Sequence, residues 1–268
     1  MRGKPFDRDD AAMVARVHEV FCRGIGLLRP GLGLLFPPRC AYCSAELPDD
    51  EGPALCTDCR QLLGPLAWPG CRRCGATGLA DPENADGCPS CQHLKLHFDT
   101  AIPLGEYRDR LRPVVLRMKR PSHEPLATAM AGLLVLRRKE QMLAFHPNVV
   151  VPVPMHWRRR ARQGTNSPDL MAKRLSGLLG LPVRRRLLAR RRNTLPQNNL
   201  SPKRRFGNVR GAFCVQKNQP LAGARVLLVD DVLTTGATCS EAARVLKRAG
   251  AESVAAVVIA RAQGADSS

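Results

Sequence analysis

Aromatic side chains are scarce. Phe, Tyr and Trp make up 4% of the 268 residues, with two Trp and two Tyr. So few rings exclude an extended stacking platform for nucleobases, which needs a ring face for each base it holds. Acidic residues are also short: 23 Asp plus Glu stand against 42 Lys plus Arg, a formal net charge of +19. The imbalance points to polyanionic partners such as phosphorylated substrates, nucleic acid or an anionic surface, although a solvated arginine-rich surface has the same composition. No uninterrupted apolar run reaches the roughly 20 residues needed to span a bilayer. The greasiest stretch, Leu27 to Leu35, is broken by Pro30 and two glycines. Asp7, Asp9, Asp10 and Glu19 make the beginning too acidic for a secretory signal. Residues 1–38 are therefore expected to be a helical lead-in, with Met13, Val14, Val17, Val20 and Phe21 on one face, and the protein is expected in the cytoplasm.

Cysteine, by contrast, is abundant and ordered. Residues 39–95 hold eight of the eleven cysteines as four pairs: Cys40–Cys43, Cys56–Cys59, Cys71–Cys74 and Cys88–Cys91. A C-x-x-C turn brings two thiolates to one tetrahedral Zn²⁺, and two such turns complete a Cys₄ shell. Four pairs make two structural zinc sites. Disulfides are not expected in a chain without a secretory signal, and a redox C-x-x-C would not recur four times. Sequential pairing, first with second and third with fourth, gives two tandem zinc ribbons and is the expected arrangement; an interleaved cross-brace has compatible spacing. Both shells are closed by sulfur, so they are structural, and His93 and His97 are expected at the surface or in packing.

From Phe98 the pattern becomes mixed α/β, with a parallel sheet expected over 98–262. Thr100 to Leu104 is predicted as an edge strand, Leu111 to Met118 and Glu124 to Gln141 as helices, and Val149 to Val153 as a buried strand. Its loop carries Pro152, Pro154, His156 and Arg158, Arg159, Arg160 and Arg162, guanidinium forks suited to a diphosphate. Pro168 to Leu179 is predicted as a helix with Leu170, Met171, Leu175, Leu178 and Leu179 toward the sheet. Arg184 to Gly211 is polar and long, and is expected to be a loop acting as a lid or binding element. Phe213 to Val215 and Val254 to Ala260 are predicted strands.

The organising stretch is Arg225 to Gly250. The apolar run Val226 to Val229 is predicted to be a buried parallel strand leading into Asp230 and Asp231. Thr234, Thr235, Gly236, Ala237 and Thr238 then form a turn into an amphipathic helix whose C-cap is expected at Gly250. Such a turn presents backbone N–H groups, hydroxyls and the positive end of a helix dipole to one phosphate monoester. The carboxylates before it are suited to a sugar diol or to a Mg²⁺ water shell. An ordinary strand–turn–helix, with the acids and threonines serving only as caps, would use the same residue types.

The segment Val226 to Thr238 resembles, without a gap, the phosphoribosyl-pyrophosphate motif of type I phosphoribosyltransferases. The resemblance implies that Asp230 and Asp231 contact the ribose hydroxyls and that Thr234 to Thr238 cradle the 5′-phosphate. Over about Phe36 to Ala260 the chain resembles the ComF family, a double zinc ribbon followed by a phosphoribosyltransferase-like domain. The residues that carry this are Phe36-Pro37-Pro38-Arg39-Cys40, the cysteine pairs, Met118-Lys119, Val151-Pro152-Val153-Pro154-Met155-His156, Leu187-Leu188, Arg190, Thr194, Pro196-Gln197, Leu200-Ser201, Arg205 and Asn208-Val209-Arg210-Gly211-Ala212-Phe213. One departure is that the family's R-G-F-N-Q reads Gln163-Gly164-Thr165-Asn166-Ser167 here.

The resemblance implies displacement of Mg²⁺-pyrophosphate from C1′ of phosphoribosyl pyrophosphate by a nitrogen nucleophile, with Arg162 and Asn166 toward the diphosphate and Thr194 to Arg205 closing over it. It also implies cytoplasmic handling of incoming single-stranded DNA in natural competence, with DNA-processing proteins as partners, or nucleotide salvage. Two readings follow: an enzyme acting on phosphoribosyl pyrophosphate, and a DNA-handling adaptor that keeps the transferase fold for ligand sensing.

Overall fold

Two runs of small and branched apolar residues, Val226 to Val229 and Val254 to Ala260, occupy the centre of a four-stranded parallel sheet. Both of its faces are buried, so every position along these runs is apolar rather than every second one. The computed structural model describes residues 37–48, 54–78, 87–155, 166–192, 202–216 and 221–262. Along the chain come α1 (Thr57–Leu63), β1 (Thr100–Glu106), α2 (Leu111–Met118), a 3₁₀ turn (Pro121–His123), α3 (Glu124–Ala144), β2 (Val149–Pro152), α4 (Ser167–Leu179), β3 (Leu188–Arg190), α5 (Pro202–Val209), β4 (Phe213–Val215), β5 (Ala224–Leu233), α6 (Ala237–Arg248) and β6 (Ala251–Arg261). The spatial order is β1-β6-β5-β2, with β1 at an edge as its sequence predicts. A single parallel bridge, Val150 to Val183, continues the sheet past β2.

Alternation along the strands sorts their side chains onto the two faces. Leu227, Val229, Ala255 and Val257 meet α2, α3 and α4 on one side. Val226, Leu228, Ala256 and Val258 meet α6 and the β3–β4 pair on the other. Four details depart from the sequence-based expectation. The motif strand does not stop at Val229 but runs through both aspartates to Leu233, because β6 continues beside it and pairs Asp230 with Val258 and Leu233 with Arg261. The stretch from Arg184 to Gly211 is not one loop. It contains β3, antiparallel to β4 in a separate two-stranded sheet, and helix α5. Leu178 points outward and is 37% exposed. Helix α6 ends one residue earlier than expected, with Ala249 as its C-cap and Gly250 following at φ 105°.

The cysteine-rich region is built into this core. Cys40, Leu47, Leu55, Cys59 and Leu63 share one apolar cluster with α3. A Cβ on Gly64 would lie 2.9 Å from Leu133 Cδ1, so the backbone there passes close to α3. Arg138, mid-helix and 2% exposed, anchors the connection. It donates to the carbonyls of Pro65 at 3.1 Å and Leu66 at 2.9 Å, and to those of Pro103 at 3.1 Å and Leu104 at 2.9 Å on β1. Arg138→Met keeps the apolar stem but orphans these carbonyls. It is expected to cost about 3 kcal/mol or more, since each buried group left unpaired costs on the order of 1–3 kcal/mol. For a chain of this size that lowers Tm by roughly 10 °C. A variant that melts with the wild type would show that the connection is not anchored there.

Candidate functional site

The eight paired cysteines converge in two groups, Cys40, Cys43, Cys56 and Cys59, and Cys71, Cys74, Cys88 and Cys91, with the sulfurs of each group within 4.8 Å of one another. This is the sequential pairing. A zinc tetrahedron with bonds of about 2.3 Å has sulfur–sulfur edges of about 3.8 Å. The observed separations match it: Cys43–Cys56 at 3.7 Å, Cys71–Cys91 at 3.9 Å, Cys74–Cys88 at 3.6 Å and Cys88–Cys91 at 3.9 Å. A disulfide would need about 2.05 Å. Gly87, at φ 97°, is required beside the second group, since a Cβ there would fall 2.6 Å from Cys91 Sγ. Arg73 braces the same group by donating to the carbonyls of Cys91 at 3.1 Å and Leu94 at 2.9 Å. The residues fit two structural Zn²⁺. His93 is exposed beside Gln92, and neither it nor His97 belongs to a ligand group.

The second centre lies at the C-terminal end of the sheet, where open α/β sheets take ligands. Asp230 and Asp231 end the apolar part of β5 and are partly exposed. The Asp231 backbone N–H donates to Asp230 Oδ1 at 2.9 Å, and Cys239 Sγ lies 3.8 Å from Asp230 Oδ2. Burial, reinforced by the neighbouring Asp231 charge, pushes the Asp230 carboxyl up to about 8. Lys119, the C-cap of α2, reaches Asp231 Oδ2 at 3.2 Å. Burial alone would lower its ammonium, but the two aspartates hold it above its ordinary value. Lys119 is a site residue that the sequence flags only through the Met118-Lys119 pair. Nothing in a helix ending in Lys says that it faces an acid pair more than a hundred positions later.

The turn behaves as its composition predicts. Gly236 adopts φ 80°, a left-handed conformation, and α6 begins at Ala237. Thr235 Oγ1 accepts the Ala237 N–H at 3.4 Å. Thr234, Thr235 and Thr238 are partly exposed, while Gly236 and Ala237 are buried. The first N–H groups of α6 have no partner within the helix, which suits them to an anion.

Asn166 occupies the N-cap of α4, 6% exposed, and its side chain makes no cap hydrogen bond. The next residue, Ser167, donates from Oγ to the Met118 carbonyl at 2.8 Å. The start of α4 is thereby held against the end of α2, beside Lys119. Arg162, the other residue expected at the diphosphate, lies outside the described residues, as do His156, Arg158 to Arg160 and the lid residues Thr194 to Ser201. Arg184, Arg185 and Arg186, which the sequence leaves as a polar stretch, line a cleft of about 480 Å³ with Asp169. Glu241 on α6 likewise carries no signal in the sequence. It accepts the Gly211 N–H at 2.7 Å and pairs with Arg244 at 2.6 Å, tying the β3–β4 pair to the helix that follows the turn.

Comparison with known proteins agrees with these features. Residues 31–92 match the double zinc ribbon domain, and residues 171–267 match the phosphoribosyl transferase domain. Competence protein F of Haemophilus influenzae is 31% identical over 231 residues, 84% of this chain and 97% of that protein. DNA utilization protein YhgH is 30% identical over 216 residues in Salmonella typhimurium and over 217 in Escherichia coli, in each case 75% of this chain and 94% of the relative.

Proposed function

The chain belongs to the competence protein F family, and from the geometry of its acid pair and turn we propose that it binds phosphoribosyl pyrophosphate with Mg²⁺. The observation that carries this is the placement of Asp230, Asp231 and Lys119 at the strand end that opens directly into the Thr234–Thr238 turn. The turn takes the 5′-phosphate, the carboxylates take the ribose hydroxyls and the Mg²⁺ water shell, and Arg162 and Asn166 approach the diphosphate. In the reaction that this arrangement serves, a C1′–N bond to a nitrogen acceptor forms as the C1′–O bond to Mg²⁺-pyrophosphate breaks. The protein contributes positioning and electrostatics. Lys119 offsets the acid pair until the metal arrives.

A second reading rests on a different observation. Arg185, Arg186, Arg191, Arg192, Arg204 and Arg210 are all exposed on and around the β3–β4 pair and α5. Together they suit a phosphodiester backbone. This reading makes the chain an adaptor for single-stranded DNA and DNA-processing proteins in the cytoplasm, with the ligand as a signal. Among the described residues no helix is long and apolar enough to cross a membrane.

Calorimetric titration with phosphoribosyl pyrophosphate and Mg²⁺, with and without candidate bases, tests both. The pH dependence adds a signature of the site. The complex needs Asp230 ionised, while the free protein holds it protonated up to about pH 8. Binding is therefore expected to release a proton, to weaken by up to about tenfold per pH unit below that point, and to level off above it. Binding independent of pH between 7 and 9 would remove Asp230 from the ligand. Binding without turnover of any base favours the adaptor.

A further inference from the structure

The second zinc site and the phosphate turn share one buried side chain. Arg261 is the last residue of β6 and is 5% exposed. Its Nε donates to the Cys74 carbonyl at 2.7 Å, inside the Cys71–Cys74 knuckle. Its Nη1 donates to the Leu233 carbonyl at 3.2 Å and to that of Thr234, the residues that open the turn. A single guanidinium thus fixes the position of a metal-binding loop relative to the loop that would hold the 5′-phosphate.

Further contacts join the second ribbon to the sheet and to α6. Gly236 rests on the second ribbon's exit segment, where a Cβ would come within 3.3 Å of Leu96 and 3.4 Å of Phe98. Ser240, in the first turns of α6, accepts the His97 N–H at 3.0 Å and donates to the Lys95 carbonyl at 3.3 Å. The knuckle residue Arg72 accepts at its carbonyl from Thr100 Oγ1 at 2.7 Å and from the Ala101 N–H at 3.2 Å on β1. Leu96 packs against both the second cysteine cluster and the core beneath α6. The first ribbon, in contrast, rests on α2 and α3 across the sheet.

We propose that Arg261 is a positioning residue through which zinc at the Cys71–Cys91 site sets the shape of the Thr234–Thr238 turn and hence its affinity for a sugar phosphate. This rests on the reading of the turn as a phosphate site. Metal holds the Cys71–Cys74 knuckle closed and so holds the Cys74 carbonyl where Arg261 needs it. With the knuckle open, the guanidinium loses one anchor, and the carbonyls of Leu233 and Thr234 lose a fixed partner. Coupling of this kind is reciprocal: whatever factor zinc contributes to ligand affinity, the ligand returns to zinc affinity at the second site.

The test is equilibrium competition for zinc by a zinc-selective chromophoric chelator, with and without saturating ribose 5-phosphate. That probe fills the turn without Mg²⁺ and, as a monophosphate, competes little for zinc. The two sites are distinguished by ¹¹³Cd substitution, which gives separate signals for each Cys₄ shell. Ribose 5-phosphate is expected to tighten the second site on the order of tenfold and to leave the first unmoved. In Arg261→Lys, whose single ammonium cannot span both loops, the shift is expected to disappear while both sites still load. Ser240→Ala, a milder change, is expected to reduce it. Ribose 5-phosphate that binds but moves both sites alike, or neither, overturns the coupling and leaves the ligand reading standing. Ribose 5-phosphate that does not bind overturns the ligand reading and the coupling with it.

Discussion

Stripping zinc from both Cys₄ sites is expected to unfold the two cysteine clusters and the residues packed on them, and to lower the stability of the whole chain. A structural zinc contributes on the order of 10 kcal/mol in small zinc-binding peptides. Here the first site also carries Leu47, Leu55 and Leu63 into the cluster under α3. Metal analysis is expected to find about two zinc ions per chain. Cys40→Ser is expected to lose one of them and to lower Tm markedly, because its site is continuous with the α3 core. Cys88→Ser loses the other and, through Arg261 and Leu96, disturbs the turn as well. Cys214 and Cys239 belong to neither cluster, so their replacement should leave the metal content unchanged. A protein that purifies without zinc, or with its eight paired cysteines oxidised, would contradict the assignment.

Replacing Asp230 and Asp231 together with Asn is expected to abolish measurable binding of phosphoribosyl pyrophosphate in the presence of Mg²⁺. Each charge-assisted hydrogen bond contributes about 1.5–3 kcal/mol, roughly ten- to a hundredfold in affinity. Neutral amides also fail to hold the metal's water shell. Stability should move the other way or not at all. Two acids crowded at one strand end, with Asp230 raised to about 8 by burial and by its neighbour, are an unfavourable arrangement for the fold alone. The double variant should melt at the wild-type temperature or slightly above it. Thr235→Val is expected to weaken the 5′-phosphate contact less, because backbone N–H groups remain. A double variant that binds as the wild type does removes the ligand assignment. One that loses binding only because it no longer folds shows the acids to be structural.

The strand-to-helix unit around the turn was legible because its signals are local. Val226 to Val229 can be buried on both faces only in a covered parallel sheet, and a Gly following two threonines supplies the positive φ that starts α6. The cysteine pairs were legible for a similar reason, since C-x-x-C spacing fixes two sulfurs at a time. Spacing left open which pairs combine, because gaps of similar length permit either arrangement. The tertiary structure decided it by bringing Cys40, Cys43, Cys56 and Cys59 together as one group and Cys71, Cys74, Cys88 and Cys91 as the other. Of the β3–β4 pair, Phe213 to Val215 is legible as a strand, whereas Leu188 to Arg190 is hidden in the polar stretch because three residues flanked by arginines are too few to show a period.

The sequence by itself determined the candidate chemistry: which cysteines can ligate metal, which strand carries the paired carboxylates, and which turn is proposed to receive a phosphate. Each depends on residues within about twenty positions of one another. Only the tertiary structure decided how these pieces meet. Lys119 faces Asp231 because the fold brings the end of α2 to the C-terminal part of β5. Arg138 lies mid-helix, where a charged residue would ordinarily face water, but the chain leaving the first ribbon folds across it and supplies carbonyls. Arg261 joins a zinc knuckle to a turn that the sequence keeps far apart, 187 positions from Cys74 and 27 from Thr234. A buried guanidinium needs several acceptors in a fixed geometry. Main-chain carbonyls are identical at every residue, so nothing in the sequence marks which ones it will find.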